Sequence, residues 1–313
     1  MNPRAAWILL LVACGGAGLV ALCAGPAGWR PPWHPHDAVL ALRAPRVVLA
    51  GVVGAALAVA GVAMQALLHN ALADPYVLGL SGGASSAAVA ALTFWPAVPP
   101  GAAAALGAAA AAALVRTLVR GVYEPTRLLL AGVALGAVLA SITGLVLTIA
   151  PADRLVRAAL FWLFGGLGTP RWQAVVLPAL LLGGAGGWLW RRAERLDRLT
   201  LGDDVADALG GHLRQTRREA FVAAVVLTAA SVAVSGLIGF VGLIAPHVAR
   251  RWVGAVHRRV LPVAALVGAC VVVSADAIAR TAFAPREVPV GLLTALVGGP
   301  FFLCQLQQRG GLR

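Results

Sequence analysis

Apolar stretches long enough to cross a bilayer recur along this chain from one end to the other. Runs of about 18 or more weakly charged residues match the length at which an α-helix spans a hydrocarbon core. Clusters of arginine, proline and glycine separate them. Splitting at those clusters predicts ten spans, near 6–25, 46–68, 77–95, 101–119, 127–149, 172–190, 219–236, 241–253, 260–280 and 290–306. The pieces at 77–95 and 241–253 are the least regular, because each contains helix-breaking residues. Apolar residues make up 60% of the chain and charged ones 12%, against roughly 45–50% and about 25% in soluble domains, so a water-soluble fold is excluded. No ten-residue alternation appears, which argues against a transmembrane barrel. The expected class is therefore all-α, a polytopic membrane protein of about ten transmembrane helices. WILLLVACGGAGLVALCAG (7–25) is long for a signal peptide and is followed by further spans, so it reads as a retained first span.

The formal charge is +13, and every one of the 25 basic residues is arginine, a bias that GC-rich coding produces without any functional demand. A nucleic-acid role needs a basic face on a soluble domain, and the sequence offers none. With the N-terminus in the cytoplasm, 17 arginines fall on the cytoplasmic side and 8 on the other. The positive-inside rule then places both termini in the cytoplasm, and an even number of spans agrees. Cys14, Cys23, Cys270 and Cys304 lie in apolar runs without a CxxC pair, so they read as small buried side chains rather than a zinc site or a disulfide framework.

The only large hydrophilic insertion is 191–219, on the cytoplasmic side. Inside it LGDDVADALGGH (201–212) has the design of a short helix: Gly202 breaks the preceding segment, Asp203 caps, and Asp204 places negative charge in the first turn. Gly210 and Gly211 supply the stop. Val205, Ala208 and Leu209 make a small apolar face suited to docking in a partner's groove, with an ordinary surface helix as the bland alternative. No GxxxxGK[ST] loop occurs, so any ATP hydrolysis belongs to another chain.

On the opposite side Arg43 and Arg46 stand three apart at the mouth of the second span, and Arg280 ends the ninth. Snorkelling at helix ends explains such arginines, but three of them on the face depleted of positive charge suit an acidic extracytoplasmic partner. The stretch GVAMQALLHNALADPYVLGLSGGASSA (61–87) cannot be one smooth helix, with Gln65, His69, Asn70 and Asp74-Pro75 followed by a Gly/Ser cluster. His69 has no second ligand at metal spacing, so it reads as a capping or interfacial residue. GFVGLIAPHVAR (239–250) has the same character: Gly239 and Gly242 allow close backbone approach, and Pro246 predicts a short or broken helix carrying His247. Interrupted helices in both halves point to an internally repeated transporter. Asp276 and Arg280, at i and i+4, can pair; the sharper alternative makes Asp276 a proton-coupling acid. An intramembrane enzyme would have to draw on Ser231, Ser235 and His247, whose spacing assigns no roles.

In order along the chain, APRVVLAGVVGAALAVAGVAMQALLHNALADPYVLGLSGGA (44–84), RLLLAGVAL (127–135), FWLFGGLGTPRW (161–172), LGDDVADALG (201–210), GLIGFVGLIAPHVAR (236–250) and SADAIARTAFAPREVPVGLLTALVGGPFF (274–302) resemble the signature segments of the FecCD permease family. Ala71 departs from the proline that often follows the Asn in that family. The resemblance implies one transmembrane permease domain over 1–313, with a cytoplasmic coupling loop at about 191–219. It implies a permease of type II ABC importers for iron-siderophores, haem or vitamin B12, working as a homodimer in the lipid of the bacterial inner membrane. Two ATP-binding subunits would dock on Gly202, Asp203, Asp204, Val205, Ala208, Leu209 and Gly210, and a periplasmic substrate-binding protein on Arg43, Arg46 and Arg280. Gln65, Asn70, Pro75, Gly239, Gly242, Pro246, His247 and Asp276 would serve structure or gating. The chain itself would have no catalytic residue, metal or cofactor, and ATP-Mg would sit on the partner ATPase. The competing class is a proton-coupled secondary transporter acting through Asp276 without an ATPase.

Overall fold

A computed structural model of the chain describes residues 3–25, 28–29, 38–119, 124–150, 153–202 and 213–310. Among them the ordered elements are helices: α1 (Pro3–Cys23), α2 (Ala38–Leu67), a one-turn 3₁₀ helix (Pro75–Leu78), α3 (Leu80–Phe94), α4 (Pro100–Leu118), α5 (Pro125–Ile149) and α6 (Asp153–Leu163). They continue with α7 (Trp172–Arg191), α8 (Ala193–Leu199), α9 (Leu213–Ser235), α10 (Val241–Val253), α11 (His257–Thr281) and α12 (Val290–Gly310). Each of the ten predicted spans coincides with one of these helices. Six described helices are long and apolar enough to cross a membrane, and shorter apolar ones lie at Leu10–Cys23, Leu80–Phe94 and Val290–Gln305.

The bundle is built around α2. Its residues from Ala55 to Leu67 are all buried, as a helix that is apolar on every side must be, and α11, α9, α10, α7 and α1 pack around it. Small residues set the spacing. A Cβ on Gly54 would strike the Gly268 carbonyl of α11, one on Gly268 would strike the Gly54 carbonyl, and the same reciprocal contact joins Gly83 of α3 to Gly107 of α4. Backbones meet directly at these points, the packing mode that works where lipid removes the hydrophobic drive between helices.

Three features differ from expectation. α2 starts eight residues before the predicted boundary at 46 and stays helical through Pro45. α6 was not foreseen; RLVRAALFWL interleaves arginine with large apolar residues, an amphipathic pattern too short and too charged for a span. Cys14 and Cys270 form a disulfide between α1 and α11, with Cα atoms 5.1 Å apart, which corrects the reading of four separate buried thiols. The pair is 256 residues apart in sequence, and only the packing of α1 along α11 makes it visible. Cys23 is free and buried, whereas Cys304 is free but exposed.

Candidate functional site

At the N-terminal end of α2 five charged residues from three segments converge. Asp276 of α11 is central: Arg46 donates to its Oδ1 from Nε at 3.0 Å, and Arg280, one turn along α11, lies 3.0 Å from its Oδ2. Arg46 also forks onto Glu287, with Nη1 and Nη2 both 3.1 Å from Oε2. Arg43 donates to the Leu22 and Cys23 carbonyls at 3.0 and 2.7 Å, while Arg280 reaches the Ala21 carbonyl at 3.1 Å. Those carbonyls end α1, where the last turn has no helical partners and the dipole favours cations. The structure therefore brings Arg43, Arg46, Arg280 and Asp276 together as the sequence suggested, and it forms the Asp276–Arg280 pair. The three arginines are only 6%, 6% and 2% exposed, because α1 and two carboxylates cover them. Glu287, whose side chain is 31% exposed, is the member of the cluster that solvent reaches.

A second construction sits where α2 meets α10. Pro246 lies inside α10, which is short and runs unbroken from Val241 to Val253, so of the two expected outcomes the structure shows the short helix. The proline nonetheless leaves the carbonyl of Gly242, four residues earlier, without its helical donor. Gln65 of α2 supplies one, donating from Nε2 to the Gly242 carbonyl at 3.3 Å, and its Oε1 accepts from Arg250 Nη1. Gly242 is also where α2 approaches most closely, since a Cβ on Gly61 would overlap the Gly242 carbonyl, and a Cβ on Gly242 would meet the Pro75 ring. Gly239 does not share this role; a Cβ there meets nothing within 4 Å. The chain breaks just before α10, at 236–240, where Gly236 and Phe240 have φ of 63° and 67°. For a residue as bulky as Phe240 that backbone is strained. His247 packs edge-on against Phe301 of α12, ring centroids 5.4 Å apart.

At the C-terminal end of α2 the chain turns through His69, φ 48°. Its Nε2 lies 2.6 Å from the Leu199 carbonyl, at the end of α8, which agrees with a capping role. Asn70 closes the turn through its Oδ1, accepting from Leu72 N at 2.9 Å. From the same short helix Asp197 accepts from His257 N at 2.9 Å and meets His257 Nδ1 at 2.6 Å, capping α11 from a different element. Burial raises the Asp197 carboxyl, but the hydrogen bonds from the His257 ring and backbone, with the charge of that ring, outweigh it and hold Asp197 below the ordinary carboxylate value. Trp190 Nε1 donates to the Arg258 carbonyl at 3.1 Å, the group left without a helical donor by Pro262, four residues on. Arg192 pairs with Glu219 of α9 at 3.2 Å. The approach to the insertion is thus tied to α2, α9 and α11. Gly202 has φ 96°, a turn conformation that glycine favours; Asp203, Asp204, Val205, Ala208, Leu209 and Gly210 lie outside the described residues.

Sequence reasoning missed Glu287, Asp197 and Glu219 as partners. All three sat in charge-rich loops or helix ends and carried no motif of their own. The serines considered for an enzyme are spent on their own helix: Ser231 donates to the Leu227 carbonyl and Ser235 to the Ser231 carbonyl, each at 2.8 Å.

Residues 32–308 match the model of the FecCD transport family. The hemin transport system permease HmuU of Yersinia pestis is 40% identical over 328 aligned residues, covering 97% of this chain and 95% of its own. The Fe(3+) dicitrate transport system permease FecD of Escherichia coli K12 is 41% identical, covering 95% and 96%. A solved structure described as an inward-facing conformation of a metal-chelate type ABC transporter superposes with a TM-score of 0.88 at 28% identity, over 98% of this chain and 99% of that one. A helical bundle with its α2 core, reciprocal glycine contacts and chain-wide similarity of this order has one explanation: the chain is a membrane permease of the FecCD transport family.

Proposed function

We propose that this protein is the membrane-spanning subunit of an ATP-driven importer in the bacterial inner membrane, carrying an iron chelate (a siderophore or haem) or cobalamin into the cytoplasm. The observation that supports it best is the similarity over nearly the full length of permeases whose cargo is hemin or ferric dicitrate. Two copies would form the pathway at their interface. The Arg43 end would face outward and the α8 end inward, as the arginine distribution favours. ATP-binding subunits on the inner side would engage the 202–210 segment and move the spans between two states, and no catalytic residue is needed in this chain.

The outer cluster adds a constraint on the binding protein. Its carboxylates would have to compete with Glu287 for Arg46, because Arg46 is already forked onto that side chain. Glu287→Gln should therefore tighten capture of the binding protein in a surface-immobilised assay, with the gain largest at low salt; unchanged or weaker capture would remove Arg46 from the docking surface. Reversing Arg43 and Arg46 together should weaken capture, but it also sets acids beside Asp276, so the Glu287 variant is the cleaner probe.

The function itself is tested in liposomes. Uptake of labelled haem, ferric siderophore or cobalamin should require the ATPase, the binding protein and ATP. Uptake driven by a proton gradient alone, with no ATPase present, would replace this reading with the Asp276-coupled transporter. Competition among the three labelled cargoes assigns the substrate.

A further inference from the structure

The groove between α7 and α9 lies beside the α8 end of the bundle, apart from the Arg46 cluster. α7 opens into a π turn at Leu182–Gly186, a widening that often marks functional positions. A Cβ on Gly183, Gly184 or Gly187 would meet no atom within 4 Å. The widened turn leaves a cleft of about 550 Å³ against α9. On α9 its wall begins with Gln215, Arg218 and Glu219 and continues with Val222, Ala223 and Val226. One helix face therefore grades from charged to apolar over about 16 Å.

The charged end is not neutral. Glu219 is taken up by Arg192 at 3.2 Å and by Gln215 Nε2 at 2.8 Å, and the Arg192 guanidinium lies 4.2 Å above the Trp188 ring. Arg218 is exposed and lines the cleft, and among the described residues it has no ion-pair partner. One positive charge is left above an apolar slot. The slot continues into an apolar surface: Leu177 and Leu180, on the same face of α7 as Gly184 and Trp188, are 62% and 67% exposed, as side chains facing lipid would be. Tryptophan beside arginine at such a boundary is the pattern of a membrane interface, and basic pockets between transmembrane helices select acidic headgroups.

We propose that this cleft binds one acidic phospholipid, its phosphate on Arg218 and an acyl chain in the slot walled by Gly184, Trp188, Val222 and Val226. The site adjoins α8 and the 191–219 insertion, so the lipid would brace the segment leading to that loop.

The test is a native mass-spectrometric titration of the full chain, delipidated in detergent, with phosphatidylglycerol or with phosphatidylcholine carrying the same acyl chains. One phosphatidylglycerol should bind about fivefold more tightly than phosphatidylcholine, the factor that about 1 kcal/mol per interfacial arginine supplies. Arg218→Gln should erase that difference. Gly184→Leu, which fills open space on a helix and keeps the charge, should weaken both lipids. Equal binding of the two lipids by the unmodified protein overturns the proposal, as does a difference that survives Arg218→Gln. Binding of glycerol 3-phosphate as tight as that of phosphatidylglycerol would reject the acyl slot. None of these outcomes depends on the transported cargo, so failure here leaves the importer reading untouched.

Discussion

At the residue scale, the pairing of Gln65 with the carbonyl that Pro246 leaves free makes a sharp prediction. Gln65→Leu strands a buried carbonyl and a half-buried arginine, and should lower stability by about 1–3 kcal/mol. Pro246→Ala restores the helical donor to Gly242, so the double variant should lose less than the two single variants combined. Thermal unfolding in detergent measures all three, and strict additivity would show that the two residues do not share this carbonyl. Asp197 gives a second prediction. Its folded value lies below the ordinary 3.8, so its contribution to stability is complete above about pH 4. The contribution is lost as the pH falls through the lowered value. Asp197→Asn should therefore be less stable than the unmodified protein at neutral pH, with the gap closing in strong acid; a gap constant with pH would deny the His257 pairing. Of these groups, the Asp276–Arg280 pair was legible because i,i+4 spacing on a helix is a local rule. The Arg46–Glu287 fork spans 241 residues and follows from no local rule.

Elements were legible in proportion to their apolar length. The ten spans follow from hydropathy and bilayer thickness, but α6 and α8 are short and arginine-bearing, and only the surrounding helices decide whether such segments coil. Pro246 left two outcomes open, a short helix or a broken one: a proline breaks an isolated helix, whereas here a side chain from α2 replaces the missing partner and the helix stays short but continuous. The packing of elements carries its own prediction. Gly54→Val drives a branched side chain into the α11 backbone and should destabilise the bundle by about 1–3 kcal/mol. Gly51→Ala on the same helix meets only the Val273 side chain at 3.9 Å and Ala269, and should be close to neutral. Equal effects from both substitutions would mean that α2 and α11 do not touch through their backbones.

At the scale of the whole molecule, the apolar face of the 202–210 segment is expected to join the transport cycle to the ATPase. Val205→Asp or Leu209→Asp should abolish ATP-dependent uptake in liposomes while the subunits still assemble on a sizing column, and normal uptake by either variant would sink the docking role. The overall architecture was readable from one sequence because membrane folds are governed by the solvent. The lateral arrangement was not, since lipid-facing and helix-facing positions draw on the same small and apolar residues. From Arg46 to its end at Leu67, just before the turn at His69, α2 runs about 32 Å without a break, and His69 touches the carbonyl of Leu199. Under the proposed reading, this continuous rod would join the two docking stations. In the proposed importer, whatever factor a bound binding protein contributes to the affinity of the ATPase, the ATPase would return to the binding protein, and a substitution midway along α2 that weakens this coupling should lower both factors equally.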